Sequence, residues 1–501
     1  MKWFIKLNQQ FPKPTLGILS MIGGFLIIGL IYIFINSKLL LKDPVVFPDE
    51  TSFATVSYSL INPKVFSHDW FSTHLGQTEI AEIIYHGPVY YLYLAGLFKI
   101  FGFGISEMRW GSVLLGGLAL IWCFKLARMT GKNMSSGWLL IFLLGSDYFF
   151  LRTSRFGRPE MMVIWLSVVG LVNYFSWLKK QSKWSLWATF VAMILTFMSH
   201  YLMGSALILS IFVDRILKNK NQILKDKFSW IFGLSFSTVI FVWILIISRL
   251  GQNIDKALSA GGSRFNPSFR SIQAIMAGDE LIKLVAIVYL VGLIWATLVK
   301  FKTRQEKLLI IFAWLSIVLM IFGGLDWYLG FLPLAGSFGY LVLDRSWLKK
   351  NQINQRYSML IVLVVVIFFN LAEQTRIAMF YRDYDYEVYA KSVADYLPDE
   401  AKVWVSQLIP DPSLYLAKNR PDLKLVLEEY KDFSLIHTKQ QLSQSEYIVQ
   451  YWLDNTAKLP DQENIKSLIN QEIQTRNKTS QIIPPTIYTP QLTVTELSSS
   501  W

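Results

Sequence analysis

The 501-residue chain has little cysteine, histidine or charge. Its single cysteine, Cys123, excludes an intrachain disulfide, a thiolate zinc cage and a CxxC redox pair. In its apolar run Cys123 reads as a small buried filler. The 5 histidines are scattered and form no obvious metal cluster. Charged residues make up 17%, well short of what a soluble protein carries, which excludes an ordinary cytosolic enzyme. Disorder is excluded by the 53% hydrophobic and 15% aromatic content. No internal repeat is visible, and no low-complexity run apart from a short Ser/Thr/Pro-containing tail. The class that remains is a polytopic membrane protein.

A helix needs about 20 apolar residues to cross the hydrocarbon core. The first such run, Thr15 to Asn36, follows Lys2, Lys6 and Lys13 and lacks a small-residue cleavage pattern after it. It reads as a retained span with its N-terminus in the cytoplasm. Further runs follow at 110–128, 136–151, 160–178, 184–199, 202–217, 229–248, 281–300, 308–323, 327–343 and 357–372, which gives about eleven spans. Lys and Arg gather at alternate junctions, among them Arg128/Lys132, Lys179/Lys180/Lys183, Lys218/Lys220, Lys300/Arg304 and Arg345/Lys349. The positive-inside tendency places these in the cytoplasm. The stretch 184–217 is basic at both flanks and too long for one crossing at 1.5 Å per residue. It must therefore be a hairpin whose tip, Ser199-His200-Tyr201, lies at the outer side.

Three outer regions remain: the loop 37–109, the loop 249–280, and the C-terminal region 373–501. The net charge of +13 divides unequally. The C-terminal region carries 13 Lys and Arg against 18 Asp and Glu, leaving the membrane half at +18. Most of that excess sits in cytoplasmic loops and gives no sign of a nucleic-acid partner. The C-terminal region reads as a small extracytoplasmic α/β domain. Strands are expected at 401–406, 423–430, 446–452 and 492–497, with helical patterns at 384–396 and 436–444.

Candidate chemistry concentrates at the outer face. Asp49 and Glu50 follow the first span closely. Neighbouring side chains on a helix point apart, so the two carboxylates are expected to have different partners. The same outer loop ends in YHGPVYYLYLAGLFKIFG (85–102), read as an interfacial helix with its tyrosines at headgroup level. His86 stands at its N-terminal end, where an anion is favoured. The segment LRTSRFGRPE (151–160) places Arg152, Arg155 and Arg158 on the outer side, against the positive-inside trend. Headgroup snorkelling is one reading and a clamp for a lipid-linked phosphate is the other, with Glu160 as a partner for one of the arginines. His200 at the hairpin tip, Arg264 and Arg270 in the outer loop 249–280, and Tyr328 in Asp326-Trp327-Tyr328 complete the set. For each, an ordinary structural or interface role stands beside the functional one.

Taken in order, these landmarks resemble the GT-C-type glycosyltransferases that use polyprenyl-phosphate sugars, and most closely the superfamily of protein O-mannosyltransferases and lipid A aminoarabinose transferases. The residues that carry the resemblance are Asp49-Glu50, the His86-Gly87-Pro88 helix start, Arg155 to Glu160, the hairpin at His200 and WYLGFLPLAG (327–336). It covers about 1–372. It implies a membrane glycosyltransferase domain there, in the plasma (inner) membrane, with the C-terminal α/β domain at 373–501. It implies a polyprenyl-phosphate-linked sugar as donor and a glycan, lipid or protein as acceptor. Asp49 matches the family's catalytic acidic position, with Glu50 orienting acceptor or sugar. His86, Arg155, Arg158 and His200, and less directly Arg264 and Arg270, would meet the donor phosphate, while Glu160 and Tyr328 would contact substrate. Some members use a Glu just before the His-Gly-Pro position for a divalent metal ion. Here that residue is Tyr85, and Glu79, Glu82 and His200 are the alternative ligands.

A lipid or small-solute transporter or flippase is the competing reading. It predicts related halves and broken helices near mid-membrane, whereas the polar groups here cluster at one outer face. A membrane anchor for a partner-binding C-terminal domain leaves the acidic pair and the arginines unexplained. Asn477-Lys478-Thr479 matches a glycosylation sequon, a pattern common by chance.

Overall fold

The computed structural model describes residues 13–62, 87–131, 134–219, 230–241, 270–299, 301–323, 326–347, 354–405, 412–427, 446–450, 477–483 and 492–497, apart from isolated positions within them. The chain opens with helix α1 (Lys13–Leu39), then α2 (Pro48–Ser59) and α3 (Pro88–Phe101). The bundle continues with α4 (Ile105–Gly131), α5 (Met134–Ser146), α6 (Tyr148–Arg155), α7 (Glu160–Lys180), α8 (Lys183–Ser199) and α9 (Tyr201–Asn219). After α10 (Arg270–Ala277) come α11 (Glu280–Leu298), α12 (Arg304–Gly323), a 3-10 turn at Asp326–Gly330, α13 (Phe331–Trp347) and α14 (Asn354–Phe380). Among the described residues four helices are long and apolar enough to cross a membrane: α4, α7, α11 and α12. Exposed Leu26, Leu30, Phe34, Ile100, Phe101, Leu114, Ile287, Val291 and Leu298 give the bundle an apolar outer surface.

Local chemistry sets the helix ends that matter. Pro48 occupies the first turn of α2, and Asp49 and Glu50 lie in that turn, where the helix dipole favours negative charge. Helix α3 begins at Pro88 after Gly87, whose φ of 89° suits glycine, and stops at Gly102 with φ 93°. The run 136–151 is not one continuous helix. Asp147 interrupts it as the N-cap of α6, accepting a hydrogen bond from the Phe150 N–H at 2.8 Å. The hairpin is as expected: α8 ends and α9 begins at His200, which leaves the helical backbone with φ −162° and ψ 108°.

Packing fixes the layout. Helix α7 lies along both α8 and α4, and α11 lies along α13. The α11–α13 approach is close. A Cβ on Gly339 would meet the Leu293 backbone at 2.9 Å, so small residues set the spacing, as in membrane helix pairs. At the end of the bundle carrying Lys179, Lys180 and Lys218, the Asp214 carboxylate accepts from Tyr174 Oη at 2.6 Å and from Arg304 Nη2 at 2.5 Å, tying α7, α9 and α12 together. Cys123 is fully buried, in the filler role expected for it. Tyr90 and Tyr91 correct the sequence reading. Both are fully buried core residues, not headgroup-level side chains, and Phe53 packs edge-on to Tyr90 at 5.5 Å between centroids.

The C-terminal region adds α15 (Tyr386–Asp395), β1 (Lys402–Val405), α16 (Ser413–Asn419), β2 (Lys424–Leu427), β3 (Tyr447–Gln450), β4 (Asn477–Ile483) and β5 (Leu492–Leu497). The strands form one sheet in the order β2-β1-β3-β5-β4. Strand β1 pairs parallel to β2 and β3, and β5 pairs antiparallel to β3 and β4. Four strands fall where alternation and branched residues placed them. Strand β4 and helix α16 were not foreseen, because NKTSQII is largely polar and SLYLAKN is a short run. The helical pattern at 436–444 lies outside the described residues.

Helix α3 is positioned through Gly87, where an added Cβ would collide with the Met198 carbonyl near the hairpin tip. Replacing Gly87 by Ala therefore combines an unfavourable φ with a backbone clash. The expected loss is about 2 kcal/mol or more, read as a lower melting temperature of the detergent-solubilised protein. Gly96→Ala, at a site with open space, is the control and should melt as the wild type.

Candidate active site

Four arginines and four carboxylates meet where α2, α4, α6 and the start of α7 converge. Arg109, from the first turns of α4, is fully buried. Its Nε donates to Glu50 Oε1 at 2.8 Å and its Nη2 to Glu50 Oε2 at 2.5 Å, while Nη1 reaches the carbonyls of Leu40 and Pro44 at 2.6 and 2.7 Å. Glu50 also accepts from the backbone N–H of Gly157 at 2.8 Å and of Phe47 at 3.2 Å. Arg155, equally buried, donates from Nη2 to Asp43 Oδ2 at 2.8 Å and from Nε to the Asp43 carbonyl at 2.7 Å. Arg152 lies 3.9 Å from the other Asp43 oxygen. Arg158 bonds Asp49 through Nη1 and Glu160 through Nε and Nη2, the latter two at 3.2 Å.

The array is charge-balanced, which accounts for arginines being buried here. Arg152 and Arg155 are matched by Asp43, Arg109 by Glu50, and Arg158 by Asp49 and Glu160. Buried charges persist only when paired and hydrogen-bonded. Burial works against the charge of Arg158, but Glu160 and Asp49 outweigh it and hold the guanidinium's pKa above its ordinary value. The Phe53 and Phe156 rings flank that guanidinium at 5.7 and 5.6 Å from their centroids.

Asp49 and Glu50 thus have different partners and very different exposure. The Asp49 side chain is 45% exposed, whereas that of Glu50 is 0% exposed. Glu50 has its oxygens committed to Arg109 and two backbone amides and so anchors α2. Arg155 likewise braces the chain at Asp43. Glu160 sits beside Arg158, 1% exposed, and accepts from that arginine through Oε1.

The structure brings His200 and Tyr328 together, which sequence order did not suggest. His200 Nε2 lies 3.1 Å from Tyr328 Oη, and His200 Nδ1 accepts from the Met203 N–H at 3.4 Å. An accepting Nδ1 puts the proton on Nε2, so the ring donates to Tyr328. Both residues are buried, and Tyr328 lies within electrostatic reach of Arg158. The 3-10 turn that carries Tyr328 packs on α6, with Gly330 against Thr153.

His86 and Arg264 lie outside the described residues, and Arg270 is placed only as the first residue of α10. Among the described residues no group of three His, Cys, Asp or Glu side chains gathers as a metal site. His200, with both ring nitrogens engaged, does not fit the ligand role considered for it. Glu79 and Glu82 are outside the described residues. Sequence reasoning missed Arg109, Asp43 and Asn36, whose Oδ1 is 3.5 Å from Arg155 Nη1. Arg109 had a signal, being an ionisable residue at the head of an apolar run.

Residues 85–247 match the family model described as dolichyl-phosphate-mannose-protein mannosyltransferase. No curated protein sequence matches the chain. Its fold is similar to that of ArnT from Cupriavidus metallidurans, solved bound to undecaprenyl phosphate: the TM-score is 0.62 at 14% identity, over 96% of this chain and 98% of that one. It is also similar to the arabinofuranosyltransferase AftD from Mycobacteria, with a TM-score of 0.55 at 12% identity, over 95% of this chain and 40% of that one. The resemblance to GT-C-type glycosyltransferases thus holds by family model over about a third of the chain and by fold over nearly all of it.

The Glu50–Arg109 pair yields a stability prediction. Arg109→Met leaves a buried carboxylate without its cation and should cost about 3–5 kcal/mol. Combining it with Glu50→Gln should recover part of that loss. Thermal unfolding of the purified variants checks both; an unchanged melting temperature in the single variant would show that the pair is not needed.

Proposed function

We propose that this protein is a multi-pass membrane glycosyltransferase. It moves a sugar from a polyprenyl-phosphate donor to an acceptor hydroxyl on the extracytoplasmic face, inverting the anomeric carbon, with Asp49 as general base. The observation that carries this reading is the exposed Asp49 carboxylate set against the buried, cationic Arg158. One group is suited to take a proton and the other to meet a phosphate, and the surrounding array holds both in place.

The chemistry follows from these positions. The acceptor oxygen attacks the anomeric carbon from the face opposite the phosphate, and its proton passes to Asp49. The bond from the anomeric carbon to the phosphate oxygen breaks, and its electron pair leaves with the polyprenyl phosphate. That leaving group is already competent, so no general acid is required. Negative charge grows on the phosphate as the bond breaks, and Arg158 stabilises it. Tyr328, held by His200, is a further hydrogen-bonding contact beside Arg158. His86, Arg264 and Arg270 remain candidates for the same phosphate. The acceptor is a glycan, lipid or protein hydroxyl.

In this reading residues 1–372 form the transmembrane catalytic unit, with about eleven spans and a cytoplasmic N-terminus. Residues 373–501 form an extracytoplasmic α/β domain. The orientation rests on the basic residues at the end of the bundle opposite Asp49. Two contacts support placing the C-terminal part on the Asp49 side: Lys418 Nζ lies 3.4 Å from Glu107 Oε1, and Lys42 Nζ donates to the Arg382 carbonyl at 2.7 Å.

Asp49→Asn is expected to lower sugar transfer by about a thousandfold, within the range for losing a general base, while the protein still purifies as a folded monodisperse species. Transfer is read by mass spectrometry of lipid and glycan extracts. Transfer at the wild-type rate in this variant rules out Asp49 as base.

A further inference from the structure

The Asp49–Arg158 ion pair joins the residue that would take the acceptor's proton to the residue that would meet the donor's phosphate. While paired, Asp49 directs an oxygen at the guanidinium, and that oxygen is not presented to an acceptor hydroxyl. The two partners differ in freedom. Arg158 is fixed: its side chain is 1% exposed, Glu160 holds it from behind through two nitrogens at 3.2 Å, and the Phe53 and Phe156 rings flank it. Asp49 is the outward partner, with 45% of its side chain exposed at the first turn of α2. Any anion that reaches Arg158 from the open side must compete with Asp49.

We propose that the Asp49–Arg158 ion pair is a latch that the donor's phosphate opens: the phosphate takes Asp49's place on Arg158 and so frees the carboxylate to accept the acceptor's proton. This rests on the glycosyltransferase reading above and adds to it an order of events. A polyprenyl-phosphate sugar is a phosphodiester with one negative charge, so it exchanges for the carboxylate charge for charge. When the anomeric C–O bond breaks, its electron pair stays with the phosphate, which then carries more negative charge on Arg158. The acceptor's proton sits on Asp49 at the same moment, so the growing phosphate charge is not opposed by a second carboxylate. Departure of the polyprenyl phosphate leaves Arg158 without its anion. Asp49 then releases its proton and pairs again. With no donor bound the carboxylate stays held.

The latch makes an unusual prediction: removing the charge of the general base should tighten binding of the phosphate. The probe is undecaprenyl phosphate, measured by direct binding to the full-length purified protein in nanodiscs. Asp49→Asn is expected to bind it about tenfold more tightly than the wild type, and Asp49→Ala to do the same if the Asn side chain still bonds Arg158. Arg158→Gln should weaken binding in either background. Equal or weaker binding by both Asp49 variants overturns the latch while leaving the glycosyltransferase reading intact, since a base that merely takes a proton does not compete with the phosphate. Failure of the wild type and of every variant to bind undecaprenyl phosphate overturns the glycosyltransferase reading, and the latch with it.

Discussion

The end of the bundle that carries Asp49 depends on buried charge that cancels. A guanidinium in a low-dielectric interior is sustained only by a carboxylate placed against it. Arg109, Arg155 and Arg158 are all fully buried, so each dictates where an acid must stand. Arg109 requires Glu50, and through it the start of α2. Arg155 requires Asp43, and through it the chain just after α1. The segment 152–160 is pinned in return, because Gly157 and Arg158 bind the same stretch that Arg109 secures. Segments distant in sequence are thereby brought to one place by charge, whereas packing alone would leave their relative position soft.

This arrangement divides labour between adjacent acids. Glu50 faces inward and is saturated with donors; Asp49, one residue earlier, is more exposed and has Arg158 beside it. A helix turns about 100° per residue, so neighbouring side chains cannot share a setting. The same helical turn therefore supplies both a buried anchor and an exposed carboxylate. The His200–Tyr328 contact does for the other wall of the site what Arg109 does for the first, joining the hairpin tip to the 3-10 turn before α13.

Much of this was legible in the sequence, and what was not has a physical cause. Apolar runs marked the helices, since a long segment has few other ways to avoid water. The hairpin at His200 followed from basic flanks on a stretch too long for one crossing. The break at Asp147 was missed because one polar residue hardly alters a windowed apolar run, yet it caps a new helix. Of the residues singled out by type, Asp49 and Arg158 meet directly, and His200 bonds Tyr328, which lies within electrostatic reach of Arg158. Exposure was the hidden variable. Nothing in the sequence distinguishes Glu50 from Asp49, or Arg155 from Arg158, since burial is decided by partners far along the chain. Arg109 was passed over because a lone arginine at a helix start looks like a boundary marker until Glu50 is seen against it.

If sugar transfer takes place at Arg158, as proposed, the two aromatic rings beside it bear on which nucleophile can react. Phe53 comes from α2, the helix that carries Asp49, and Phe156 from the segment that carries Arg158, so the guanidinium is lined by surfaces that water wets poorly. An anomeric carbon activated there would meet few competing water molecules. Water is the smallest and most abundant hydroxyl, and any base able to deprotonate a sugar alcohol can assist its attack as well. Selection against hydrolysis would then come less from recognising the acceptor than from keeping the site dry until the acceptor itself fills it.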